Sequence, residues 1–207
     1  MFLELQNIGW NLLSLSLVAT ISFSMTGAWG IAKQAKNILA TRSGASVNTK
    51  WNIVFAIMYA TWFVYGAETH SMAIMVQSIM RVPFIAIVLV RLWQFKGYTR
   101  SEISMVVLFT SAFLVVSTTV YIDTAFTIVS YLGAAAASLQ PLEIWKKRSV
   151  GVVSIEMMWI YLASVMFWLF YGLVAHDMRV FGMSIPYITI YSTTIGLYYH
   201  FRNNPNN

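Results

Sequence analysis

Arg81 has the most chemistry to offer, because it stands near the centre of an apolar run from 71 to 93 that is long enough to cross a bilayer. A cation at that depth costs at least ~2.5 kcal/mol, so its guanidinium must face protein, water or a solute. Gln77 and Ser78 share its helical face at three- and four-residue spacing. No carboxylate sits securely inside an apolar run to pair with it, since Glu68, Asp123, Glu143 and Glu156 all fall at the ends of such runs. Two roles stay open. Arg81 could clamp backbone carbonyls freed near Pro83, which has no N–H to give, or it could meet a solute that carries negative charge or several acceptor oxygens.

Trp62 and Trp168 offer a different kind of contact, a flat apolar face with one N–H donor, suited to stacking a sugar ring or another flat solute. The alternative is a place in the aromatic belt at the membrane surface, the role expected of Tyr65 and Tyr171. Ser184, Tyr187, Tyr191, Thr194 and Tyr198 recur on one helical face, where they either line a path or hydrogen-bond between helices. His70 and His176 flank outer helix ends and read as solvated loop residues rather than metal ligands. The chain has no cysteine, no glycine-rich phosphate loop and no serine-based triad. A retinal protein would need a lysine in its last helix, and none follows Lys147. These residues predict no enzyme, no metal and no cofactor.

The elements that must position these groups come in duplicate. At one constant shift, Gln34, Arg42 and Ser43 fall on Gln140, Arg148 and Ser149, and Trp62, Tyr65 and Gly66 fall on Trp168, Tyr171 and Gly172. Gly27 and Gly133, Ile38 and Ile144, Val47 and Val153, His70 and His176, and Ser78 and Ser184 keep the same register without a gap, so one apolar unit has been duplicated. Arg81 falls on Tyr187, which places the polar groups of the two halves at matching depth. Gly27 and Gly133 predict helices thin enough for close packing, and Gly66 and Gly172 predict helix ends.

With 58% hydrophobic and 10% charged residues, the chain reads as a membrane protein rather than a soluble domain. Apolar segments near 10–32, 51–67, 71–93, 103–121, 124–142, 155–174 and 180–201 each suffice for a crossing. The net charge of +6 is confined to the breaks and reads as topology, not as nucleic-acid binding. Lys33, Lys36, Arg42 and Lys50 follow the first segment, Arg91, Lys96 and Arg100 the third, Lys146, Lys147 and Arg148 the fifth, and Arg202 the seventh. The other breaks hold Glu68, Asp123, and Asp177 with Arg179, and Glu4 lies near the amino end. The positive-inside rule then puts the amino end outside and the carboxyl end in the cytoplasm. Glu4 in place of a basic start also argues against a cleavable signal peptide. The fold expected is all-α: a first repeat of three helices over 10–93, a linker transmembrane helix over 101–123, a second repeat over 124–201, and a short cytoplasmic tail over 202–207. The linker reverses the chain once, so the two triple-helix bundles run parallel.

The run from Gln140 through Pro141 and Lys147-Arg148-Ser149-Val150 to Ser154 resembles the PQ-loop signature, and Trp62-x-x-Tyr65-Gly66 and Trp168-x-x-Tyr171-Gly172 resemble the second-helix motif of the SWEET and PQ-loop superfamily. The resemblance covers nearly the whole chain in its seven-helix form. It implies a facilitative carrier of sugars or other small solutes. The chain departs from the pattern at Lys33 and Leu139, where a proline is usual before the glutamine, and at Val47 and Val153, near the usual hinge prolines. The asparagine usual in sugar carriers near Gln77 or Ser78 and near Met183 or Ser184 is absent from both halves.

The function expected is uniport of a small polar solute by alternating access in the cell (inner or plasma) membrane. Its walls would be Trp62, Trp168, Gln77, Ser78, Arg81, Ser184, Tyr187 and Tyr191. Gln34 and Gln140, expected at the cytoplasmic ends of the first and fifth helices, would bond helix-end carbonyls and assist gating together with Pro141, Gly27 and Gly133. The partners expected are the small-molecule substrate, the lipid bilayer and possible further copies of the chain. A carrier of a small organic anion or amino acid, and a seven-helix cargo or ligand receptor of the same superfamily, remain as alternatives.

Overall fold

The computed structural model describes residues 2–44, 47–117, 121–150 and 154–203, and among these the only regular structure is helical. The helices are α1 (Leu3–Gln6), α2 (Leu12–Thr41), α3 (Thr49–Glu68), α4 (Met72–Lys96), α5 (Arg100–Ser117), α6 (Ile122–Ala137), α7 (Leu139–Lys147), α8 (Ile155–Val174) and α9 (Met178–Asn203). Five spans are long and apolar enough to cross a membrane, namely α2, α4, α8, α9 and a continuous span over Ile122–Lys146 that takes in α6 and α7. With α6 and α7 counted as one, helices α3 and α5 bring the long helices to seven among the described residues. Trp51, Asn52, Tyr59, Trp62 and Tyr65 make α3 less hydropathic without shortening it. The chain is an integral membrane protein with the 3+1+3 helix order expected from its duplication.

Local chemistry repeats along with the sequence. The side chain of Asn48 caps α3 by accepting from the Trp51 N–H, and Ser154 caps α8 by accepting from the Met157 N–H. Ser71 accepts from the Ile74 N–H at the start of α4, and Asp177 accepts from the N–H groups of Arg179 and Val180 at the start of α9. The residue types differ, but each supplies the oxygen that an open helix start lacks. Helix ends repeat as well. Arg42 and Arg148 adopt left-handed conformations at φ 48° and 49°, and His70 and His176 do so at 53° and 55°. The histidines therefore serve as helix-stopping turn residues, a role in which non-glycine residues are uncommon.

Three expectations are corrected. The first helix runs past 32 to Thr41, because Ala35 and Ile38 pack on Val88 and Leu92 and hold its basic end against α4. Tyr65 and Tyr171 are fully buried and do not belong to a lipid belt. The exposed tryptophans are instead Trp10, Trp29, Trp93, Trp145 and Trp159. Gly66 and Gly172 do not end their helices, which continue to Glu68 and Val174. Each lies instead where the next helix comes too close for a side chain. Val153 and the tail beyond Asn203 lie outside the described residues.

Contacts group the chain into two compact units, Met1–Gln6 with Ser24–Val129, and Asn7–Phe23 with Ser130–Asn207. In the first, α3 packs on α4 and α5. Its amino-terminal segment is pinned by Glu4, whose buried carboxylate accepts from the N–H groups of Met72 and Ala73, both at 3.0 Å, and from the Ser71 hydroxyl at 3.4 Å. A carboxylate there satisfies open amides and favours the helix dipole. In the second unit, α9 packs on both α8 and α7.

The break between α4 and α5 carries a capping box. The Glu102 carboxylate accepts from the Thr99 N–H at 2.7 Å, and the Thr99 hydroxyl accepts from the Glu102 N–H at 3.3 Å. The Thr99 amide bond, helped by hydroxyls of Thr99 and Thr49 and by the Lys96 charge, holds the Glu102 carboxyl below the usual carboxylate range, against the opposing effect of burial. A depressed folded-state pKa stabilises the fold above the unfolded value and loses that contribution as pH falls through the folded one. Wild type is therefore expected to be more heat-stable than Glu102→Gln at neutral pH. That advantage should vanish at acidic pH below the carboxylate range, as thermal unfolding in detergent across pH would show.

Candidate functional site

Helix α3 carries an aromatic ladder on one face. Trp51 stacks on Phe55 at 5.2 Å, Phe55 on Tyr59 at 6.2 Å, and Tyr59 meets Trp62 edge-on at 5.6 Å. Spacings of four, four and three residues put all four rings on one helical stripe. Trp62, 6% exposed, then contacts Phe126 of α6 at 5.6 Å, and Phe126 stacks on Tyr65 at 3.9 Å. Trp168, 4% exposed, meets Tyr171 edge-on at 5.5 Å. Burial of both tryptophans removes the belt alternative.

Arg81 lies against this ladder. Its Nη1 donates to the Tyr59 hydroxyl at 2.9 Å, and the guanidinium carbon stands 5.0 Å from the centroid of the Tyr59 ring. The clamp on carbonyls near Pro83 is corrected: the protein partner of Arg81 is a phenol one helix away. Gly27 makes room for it, because a Cβ there would sit 2.7 Å from Nη2 and 3.1 Å from Nε. The thin helix expected at Gly27 thus serves a side chain, not a neighbouring backbone. Tyr59 escaped the sequence reading, although the aromatic spacing of 51, 55, 59 and 62 was there to be seen.

One turn before Arg81 on α4, Gln77 accepts through Oε1 from the Ser24 hydroxyl of α2 at 3.4 Å. Its Nε2 is buried with no hydrogen-bond partner among the described residues. Ser78 turns its hydroxyl back to the Ile74 carbonyl at 2.9 Å, and Ser184, its counterpart, turns back to Val180 at 2.8 Å. Both serines are fully covered, so each satisfies its own helix instead of joining two. Thr194 does the same to Ile190 at 2.7 Å. Tyr187 does reach another helix, donating to the Ser130 carbonyl of α6 at 3.2 Å, and it stacks with Tyr191, which in turn meets Tyr161. Gln34 lies inside the continuous α2, not at its end, and Gln140 is exposed in the first turn of α7 just past Ser138. Pro141 follows in that turn, inside the continuous span over Ile122–Lys146, and Gly133 is buried in α6.

Residues 121–206 match the family model described as "Sugar efflux transporter for intercellular exchange". No curated protein matches the chain. Among solved structures, a eukaryotic SWEET transporter superposes with a TM-score of 0.70 over 93% of this chain and 98% of its own, at 13% identity. The whole chain has the fold of that transporter, and the family model matches its second part, residues 121–206. At that identity the structural likeness speaks for the fold alone. The matched family model describes a transporter.

Proposed function

We propose that this chain is a facilitative uniporter of a small polar solute, a sugar or a related polyhydroxylated compound, working by alternating access. The observation that carries the reading is the match of the second repeat to a family of sugar efflux transporters, within a chain whose first repeat preserves the same caps, turns and buried tryptophan. The proposed substrate-facing groups are Trp62, Trp168, Gln77, Ser78, Arg81, Ser184, Tyr187 and Tyr191. Gln34, Gly27, Gly133, Gln140 and Pro141 are proposed gating positions. The repeats are assigned to 10–93 and 124–201, with 101–123 as the linker. Uniport fits a protein in which no carboxylate falls securely inside an apolar run, because proton coupling relies on titratable groups within the bilayer.

Uptake of radiolabelled sugars, amino acids and organic acids into proteoliposomes tests this. A polyhydroxylated solute should enter down its gradient at a rate that ionophores do not change. Uptake that collapses with the proton gradient would contradict uniport, and uptake of amino acids alone would contradict the substrate class.

The proposed orientation places the amino end outside and the carboxyl end in the cytoplasm of the cell membrane. Glu4 binds the start of α4, which keeps the amino end on the side of the Glu68 break. A reporter fused after Arg202 is expected to read cytoplasmic, and one inserted near Asp177 to read external. Both on one side would remove a crossing from α9.

A further inference from the structure

Resting on the transport reading above, we infer that the Arg81–Gln77 pair of α4 selects a solute carrying a carboxylate, a sugar acid rather than a neutral sugar. The pair is rich in donors. Guanidinium has five N–H groups, and here one of them is spent on the Tyr59 hydroxyl. The Gln77 amide nitrogen, in a side chain only 1% exposed, adds another donor with no partner among the described residues. Both face α2, Gln77 at Ser24 and Arg81 at Gly27, so they occupy successive levels of one seam. Ser24 leaves the amide nitrogen open because it bonds the opposite atom, Oε1.

Charge points the same way. No carboxylate among the described residues pairs with Arg81, and the ring face of Tyr59 offers only the weaker attraction of a quadrupole. A charge near mid-bilayer that is buried by nine-tenths and lacks a counter-ion is costly, and a donor without an acceptor adds to that cost. A solute carboxylate would relieve both, supplying two acceptor oxygens in the fork geometry that guanidinium matches and a third contact for the amide. A neutral hydroxyl would relieve only the second. Gly27 gives the guanidinium its place in the seam, because a side chain there would displace Nη2 and Nε.

D-glucuronate and D-glucose share a ring and most of their hydroxyls but differ in the carboxylate, which makes them the probes. Their uptake into proteoliposomes is compared for the wild type, Arg81→Lys and Arg81→Gln, with the thermal shift each solute induces in the purified protein as a second reading. Wild type should favour glucuronate by about tenfold, the scale of one charge-assisted pair. Arg81→Gln should bring the ratio near unity, and Arg81→Lys should keep part of it. The wild-type arm decides by itself should either variant fail to fold. Transport of glucose in preference to glucuronate would overturn the inference and leave the transport reading standing. A glucuronate preference that survives in Arg81→Gln would also overturn it. Uptake of neither, with no thermal shift, would overturn both.

Discussion

Gly172→Ala is expected to destabilise the protein markedly more than Gly66→Ala, although the two glycines are counterparts in the repeat. A Cβ at Gly172 would lie 2.5 Å from the Phe181 nitrogen, 2.9 Å from its Cα and 3.1 Å from the Asp177 carbonyl oxygen, all of them backbone atoms. Relief therefore requires α9 to move away from α8, the principal packing partner of α9. At Gly66 the nearest atoms are the nitrogen and Cγ of Met75, each at 3.0 Å, and the Ile74 Cβ at 3.1 Å, so a modest shift suffices. Overpacking in a tight core costs about 1–3 kcal/mol, and Gly172→Ala should reach the top of that range while Gly66→Ala stays near the bottom. Thermal unfolding of both variants in the same detergent measures the order. Equal losses would mean that the first turn of α9 is not packed as tightly against α8 as these distances require.

Truncation of the paired tryptophans should be more damaging still. Trp62 fills the space between Tyr59 and Phe126, and Trp168 packs on Tyr171, so Trp62→Ala and Trp168→Ala should each cost about 3–5 kcal/mol and abolish uptake along with the native packing. Phenylalanine separates the fold from the function. It keeps an aromatic ring in place and removes the indole N–H, so Trp62→Phe and Trp168→Phe should fold and yet transport poorly if the tryptophans touch the solute. Wild-type uptake in both phenylalanine variants would make these residues packing groups alone.

Much of this architecture was legible before any coordinates. The constant shift that carries Trp62 onto Trp168 also carries Arg42 onto Arg148 and His70 onto His176, and the backbone obeys it down to left-handed φ values. Duplication constrains backbone geometry strongly, so motif register translated directly into turns and caps. Side-chain partners were less legible, because they depend on which helices meet. The Tyr59–Arg81 bond joins residues on different helices, and hydropathy assigns neither of them a direction. The same limit hid the end of α2. Lys33 and Lys36 look like a stop in the sequence, yet long basic side chains can reach water from a helix that continues on the apolar face of Ala35 and Ile38. Tyr65 and Tyr171 were misplaced for a related reason, since a tyrosine one turn from a membrane surface is as easily buried against a neighbouring helix as anchored in lipid.

Counterflow tests the central claim most directly. Proteoliposomes preloaded with unlabelled D-glucose or D-glucuronate, then diluted into a trace of the same labelled solute with no pH or voltage gradient, report whether one site alternates between the two faces. A carrier of this kind should give a transient accumulation of label above the equilibrium level for at least one of the two solutes, and protein-free liposomes should not. Label that rises only to equilibrium, or does not enter at all, would contradict the account.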